Sequence, residues 1–165
     1  MNETHAERGQ QWLTELLHLA GFQSSVSVNP DPSFAEDSDW LTIADSDLSS
    51  EQIQILLGDR GEVLDSIQYL ANTTLNIGLE ADHQGAYTVD LAGYRAERYE
   101  ELKQIAEKAV ERVRASGEEV ELESLSSAER RQVHTLLKEY SDLETTSRGQ
   151  EPNRRLVVRP LVDSE

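Results

Sequence analysis

The chain has 165 residues, 37% of them hydrophobic, and carries 32 acidic against 15 basic side chains, a net charge of −17. That length allows one domain or two small ones, and the acidity opposes simple polyanion binding, since phosphate contacts need local positive charge. Cysteine is absent, which excludes a disulfide frame and a thiolate metal site, and no run of about 18 apolar residues offers a membrane-spanning helix.

Residues 5–20 have helical spacing, with Trp12, Leu13, Leu16, Leu17 and Leu19 apolar and Gly21 at the end. His5 and His18 have no companions at ligand spacing, so no metal site is expected there. Val26 and Val28 alternate with serines as in a half-buried strand. Asn29 to Asp39 reads as a turn-rich acidic loop, and Leu41 and Ile43 alternate in a second strand. Ser49 and Gln52 have capping-box spacing and open a helix with Ile53, Leu56 and Leu57 on one side. Gly58 stands where a helix stops with positive φ, which glycine adopts without steric cost. Gly61 opens the next helix, whose broad apolar face holds Val63, Leu64, Ile67, Leu70, Ala71 and Leu75. A polar stretch over 76–85 leads to a third alternating strand at Tyr87, Val89 and Leu91. The order helix, strand, strand, helix, helix, strand predicts a two-layer α/β sandwich.

A long helix runs from Tyr94 to about Ala115, with Leu102, Ile105, Ala106, Ala109, Val110 and Val113 on one face. It either packs on the first sheet or bridges to the next unit; the spacing leaves both open. The apolar pair Val120 and Leu122 leads into a second capping box, Ser126 to Glu129. Its helix buries Val133, Leu136, Leu137 and Tyr140. Two strands, Leu143 to Thr146 and Leu156 to Arg159, flank a loop over 147–153.

Charge is unevenly spread. Residues 1–85 hold two basic and fifteen acidic side chains, net −13; residues 86–123 hold six and ten, net −4. Residues 124–165 hold seven of each and are neutral, which makes this third the better field for a polyanion.

Two stretches carry candidate chemistry. Between the glycines of Gly58-Asp59-Arg60-Gly61, two helices meet in a turn whose missing side chains let a nucleic-acid backbone lie against the protein backbone, beside a helix N-terminus that favours anions. The bare Gly-x-x-Gly pattern is in most proteins only a helix connection. The second stretch is Arg130 and His134, four residues apart on one helix face, with Lys138 a turn further and Arg131 beside them. The apolar stripe lies opposite, so this row is expected to face water. Alternation puts Arg155 and Arg159 on one strand face, and Arg148 lies in the loop between the strands. Such a surface can hold phosphate, while His and Arg planes stack on unpaired bases.

The string Leu57-Gly58-x-Arg60-Gly61-Glu62-x-Leu64-Asp65-x-Ile67-Gln68-Tyr69-Leu70-x-Asn72 resembles the KH domain of the bacterial Jag (KhpB, SpoIIIJ-associated) proteins. Glu129-Arg130-Arg131-x-x-His134-x-x-Leu137 and Thr145-x-Ser147-x-Gly149-x-Glu151-Pro152-x-Arg154-Arg155-Leu156-Val157-Val158 resemble the R-3-H domain that follows it in that family. The resemblance implies a type II KH-like α-β-β-α-α-β sandwich over 1–92, a connecting or packing helix over 93–117 and a small α/β R-3-H domain over 118–165. It further implies a short form lacking the family's N-terminal Jag domain and linker. Members are thought to bind RNA, often beside a small separate KH protein, and to influence cell elongation.

One departure bears on the first site. The family has a basic residue after the first glycine, whereas this chain has Asp59, whose charge roughly cancels that of Arg60.

The expectation is thus a non-enzymatic, cytoplasmic single-stranded RNA-binding protein without metal or cofactor, a regulator or RNA chaperone. The N-terminus has no basic-then-apolar leader order, in keeping with that location. Gly58, Arg60 and Gly61 would hold backbone; Arg130, Arg131, His134, Arg154 and Arg155 would hold phosphate and bases. No Ser, Cys or paired carboxylate is spaced to make His134 a general base. The competing expectation is an acidic protein-interaction adaptor whose KH unit no longer binds RNA.

Overall fold

Thr4 starts the first helix: its hydroxyl accepts from the Glu7 amide at 3.2 Å, and the Glu7 carboxylate accepts from the Thr4 amide at 2.8 Å. In the computed structural model, which describes residues 3–29 and 38–161, this helix, α1, spans His5–Leu19. Residues 30–37, most of the predicted acidic loop, lie outside the described residues. The chain divides into two units, Met1–Arg95 and Ala96–Glu165.

The first unit continues with β1 (Val26–Asn29), β2 (Asp39–Ile43), α2 (Ser50–Leu57), α3 (Glu62–Thr74) and β3 (Tyr87–Leu91). The sheet order is β1-β2-β3, with β1 antiparallel and β3 parallel to β2. Parallel neighbours need a crossover, and the α2–α3 pair supplies it. Leu13 and Leu17 from α1, Leu64 and Ala71 from α3, and Leu41, Ile43, Val89 and Leu91 from the strands form the core. The buried stripes are narrower than predicted: Leu19 and Leu70 are exposed.

Three side chains four residues apart fasten α3 and the turn after it along β3 and the chain leading into it. Gln68 Oε1 accepts from the Val89 amide at 3.0 Å. Asn72 accepts from the Tyr87 amide at 2.9 Å and donates to the Tyr87 carbonyl at 2.8 Å. Asn76 treats Gly85 the same way, at 2.9 and 2.7 Å. These amides satisfy main-chain groups that an open strand edge would leave bare.

The second unit holds nearly all of α4 (Tyr94–Ser116), then β4 (Val120–Leu122), α5 (Ser127–Leu137), β5 (Leu143–Arg148) and β6 (Arg155–Pro160). Its antiparallel sheet has the order β4-β6-β5. Leu102, Ala106, Val110 and Val113 on α4 pack with Val133 and Leu137 on α5 and with Leu156 and Val158 on β6. The apolar face of the long helix therefore belongs to this second core. The pair Val120 and Leu122 forms a short strand of its own, and β5 reaches into the predicted loop, so Ser147 and Arg148 lie in it. Among the described residues the architecture is mixed α+β, and no helix is long and apolar enough to cross a membrane.

Candidate nucleic-acid interface

At the Gly-x-x-Gly turn, Gly58 closes α2 with φ 71° and Gly61 caps α3 with φ 78°; Arg60 between them is also left-handed, at φ 50°. Side chains at either glycine would collide with the protein itself. A Cβ at Gly58 would lie 2.5 Å from Val63 Cγ2, and one at Gly61 would lie 2.5 Å from the Tyr94 ring. The Tyr94 hydroxyl donates to the Arg60 carbonyl at 2.5 Å. Packing inside the unit thus accounts for both glycines without a ligand. Asp59 and Arg60 are exposed on the turn.

In the second unit, α5, β5 and the 149–154 loop line an open cleft of about 330 Å³. Arg130, Arg131, His134 and Arg154 line it, together with Ser127, Thr145, Thr146 and Ser147; the strand register puts the Thr145 and Ser147 side chains on the Leu156 face. Arg131 and Arg154 are exposed and make no ion pair among the described residues. His134 is half-buried, its Nδ1 sharing a hydrogen bond with the Thr145 hydroxyl.

Arg130 departs from the expectation that this row faces water. Its side chain is only 7% exposed. Nη1 donates to the Leu125 carbonyl at 2.8 Å and to the Arg154 carbonyl at 3.2 Å, and Nη2 donates to the Glu151 carboxylate. Helical spacing places Arg130 and His134 on one face correctly, but the chain before α5 and the loop after β5 close over the arginine.

Arg155 also departs from expectation. It shares a sheet face with Arg159, as alternation predicts, but its neighbour Leu156 is the residue that lines the cleft. Arg155 instead pairs with Glu121 and Glu123, Arg148 with Glu119 and Glu121, and Arg159 with Glu144. The hydrogen bond from Arg155 holds the Glu121 carboxyl below its ordinary range, and that from Arg148 does the same to Glu119. This outer face is an array of opposite charges rather than a basic patch. Thr145 and Ser127 are cleft walls that were not among the expected site residues, Thr145 entering only through the R-3-H string. Period-two alternation from Leu143 would have placed Thr145 inward; nothing local marks Ser127.

An R-3-H domain model matches residues 100–160, all within the second unit. The chain is 31% identical over 156 residues to the "RNA-binding protein KhpB" of Clostridium symbiosum, covering 94% of this chain and 66% of that protein. It is 33% identical over 116 residues to the protein of that name from Bacillus subtilis, covering 67% and 53%. The chain belongs to the KhpB (Jag) family. It spans about half to two thirds of the length of these two relatives. Within this Jag-family chain, the R-3-H match takes in α5, β5, the 149–154 loop and β6, so every wall of the cleft lies inside it.

Proposed function

We propose that the chain binds single-stranded RNA in the α5–β5 cleft of its R-3-H domain. The observation that carries this reading is the pair of exposed guanidiniums without an ion-pair partner among the described residues, Arg131 and Arg154, flanking a hydroxyl-lined cleft. Two phosphates would meet these arginines, the His134 ring, fixed by Thr145, would offer a plane to a splayed base, and the Ser and Thr hydroxyls would reach sugar and phosphate oxygens. The relatives' name, RNA-binding protein, points the same way.

In this reading the first unit is a type II KH-like domain and α4 belongs to the R-3-H domain. The helix, strand, strand, helix, helix, strand order and the mixed sheet support the first assignment. The core that α4 shares with α5 and β6 supports the second. The KH turn contributes less, because Asp59 offsets Arg60 and residues 1–95 carry three basic against sixteen acidic side chains, net −13. The role in this reading is binding, in keeping with the relatives' printed name. A cytoplasmic location and a small KH partner accompany this proposal on the family resemblance alone.

The test is fluorescence anisotropy on a labelled mixed-sequence oligoribonucleotide at two salt concentrations. Arg131→Ala with Arg154→Ala should weaken binding and flatten the salt slope by roughly 0.7 for each phosphate no longer neutralised. Unchanged affinity and slope would remove RNA from the cleft.

A further inference from the structure

We propose that Glu151 competes with RNA phosphate for Arg130, holding that one guanidinium neutralised until nucleic acid displaces the carboxylate. The inference rests on the reading that RNA enters this cleft.

The three bonds of the Arg130 guanidinium differ in kind. Two go to main-chain carbonyls, Leu125 and Arg154, whose positions the backbone sets. The third goes to a side chain, Glu151, on a loop whose residues 149–154 are all exposed. The arginine is 7% exposed and its carboxylate partner 58%. The two carbonyls therefore hold the guanidinium in place while its anionic partner sits at the solvent side, free to leave by rotation about its own side-chain bonds.

A carboxylate and a phosphate present similar oxygens to a guanidinium. A guanidinium this buried keeps a counter-anion, since an unpaired buried charge is strongly disfavoured. Phosphate is the anion that RNA brings. With Glu151 in place, an approaching strand meets the charges of Arg131 and Arg154 only. Once Glu151 swings out, Arg130 becomes a third cation at the cleft floor. The outer-face pairs have no such asymmetry: Arg148, Arg155 and Arg159 are all substantially exposed, as are their partners.

Glu151→Gln separates the charge from the hydrogen bond, because the amide oxygen still accepts from Arg130 but competes poorly with phosphate. Glu144→Gln, which removes an equal charge from Arg159 on the outer face, is the control for net charge. Binding of the same oligoribonucleotide is read by anisotropy at two salt concentrations, with urea denaturation verifying that each variant is folded. Glu151→Gln should bind roughly three- to tenfold tighter at low salt, with a slope steeper by about 0.7. Glu144→Gln should stay within about twofold of the parent. Unchanged or weaker binding by Glu151→Gln, or equal tightening by both variants, would overturn the competition. The Arg131→Ala, Arg154→Ala protein isolates the underlying reading: if it binds like the parent, RNA is not in the cleft. If it binds weakly while Glu151→Gln changes nothing, the cleft reading stands and the competition alone fails.

Discussion

Arg130 and Arg131 are adjacent in sequence and opposite in role. Arg131 is exposed with its charge uncommitted among the described residues, whereas Arg130 ties Leu125, Arg154 and Glu151 together from a buried position. Arg130→Ala should therefore lower stability by about 1–3 kcal/mol, the cost of leaving main-chain acceptors unsatisfied. Arg131→Ala should stay within about 0.5 kcal/mol, as surface changes usually do. Urea denaturation of both variants measures the contrast, and equal midpoints would mean that Arg130 does not brace the loop. Helical spacing showed that Arg130 and His134 share a face. It could not show depth, because the carbonyl that covers Arg130 belongs to Arg154, 24 residues away. The glycines show the same limit. The positive φ of Gly58 was legible from its place at a helix end, but that of Gly61 was not, and Tyr94, whose ring fills the space beside Gly61, stands far along the chain. A Gly61→Asp variant would therefore report on folding before it reported on RNA.

Among the elements, the long ones with strong periodicity and capping boxes were readable. Thr4/Glu7, Ser49/Gln52 and Ser126/Glu129 all form reciprocal caps. The three-residue β4 was not, since so short a strand shows no period. Nor was the direction of Arg155: alternation pairs it with Arg159, but which face meets α5 depends on the register of β6 between β4 and β5. The resulting charge array makes a pH prediction. Hydrogen bonds from Arg155 and Arg148 depress the carboxyls of Glu121 and Glu119. A depressed carboxyl adds stability above its unfolded pKa and loses it as pH falls through the folded value. Stability of the second unit should thus hold from neutral pH down to the ordinary glutamate value of 4.5 and decline below it. Glu121→Gln should flatten that acid limb in denaturation followed against pH; an unaltered limb would show that the array contributes nothing.

Across the whole molecule, the charge is unevenly divided. Residues 1–95 are net −13, while 96–165 hold twelve basic against sixteen acidic side chains, net −4. At ordinary ionic strength that field is screened within ~8–10 Å, so local placement decides where a polyanion settles. Asp59→Lys reverses the sign at the Gly-x-x-Gly turn and should tighten RNA binding modestly, with a gain that shrinks as salt rises. A gain larger than the loss from Arg131→Ala with Arg154→Ala, by anisotropy under the same conditions, would move the main site to the turn.

The location of the bound strand is the central claim, and photocrosslinking reads it most directly. An oligoribonucleotide carrying 4-thiouridine is bound to the full chain, irradiated, and its attachment sites are mapped by mass spectrometry. The crosslinks should fall within 127–134 and 145–154, the walls of the cleft. Attachment confined to residues 58–61, or to the outer sheet face around Arg148 and Arg155, would contradict the account.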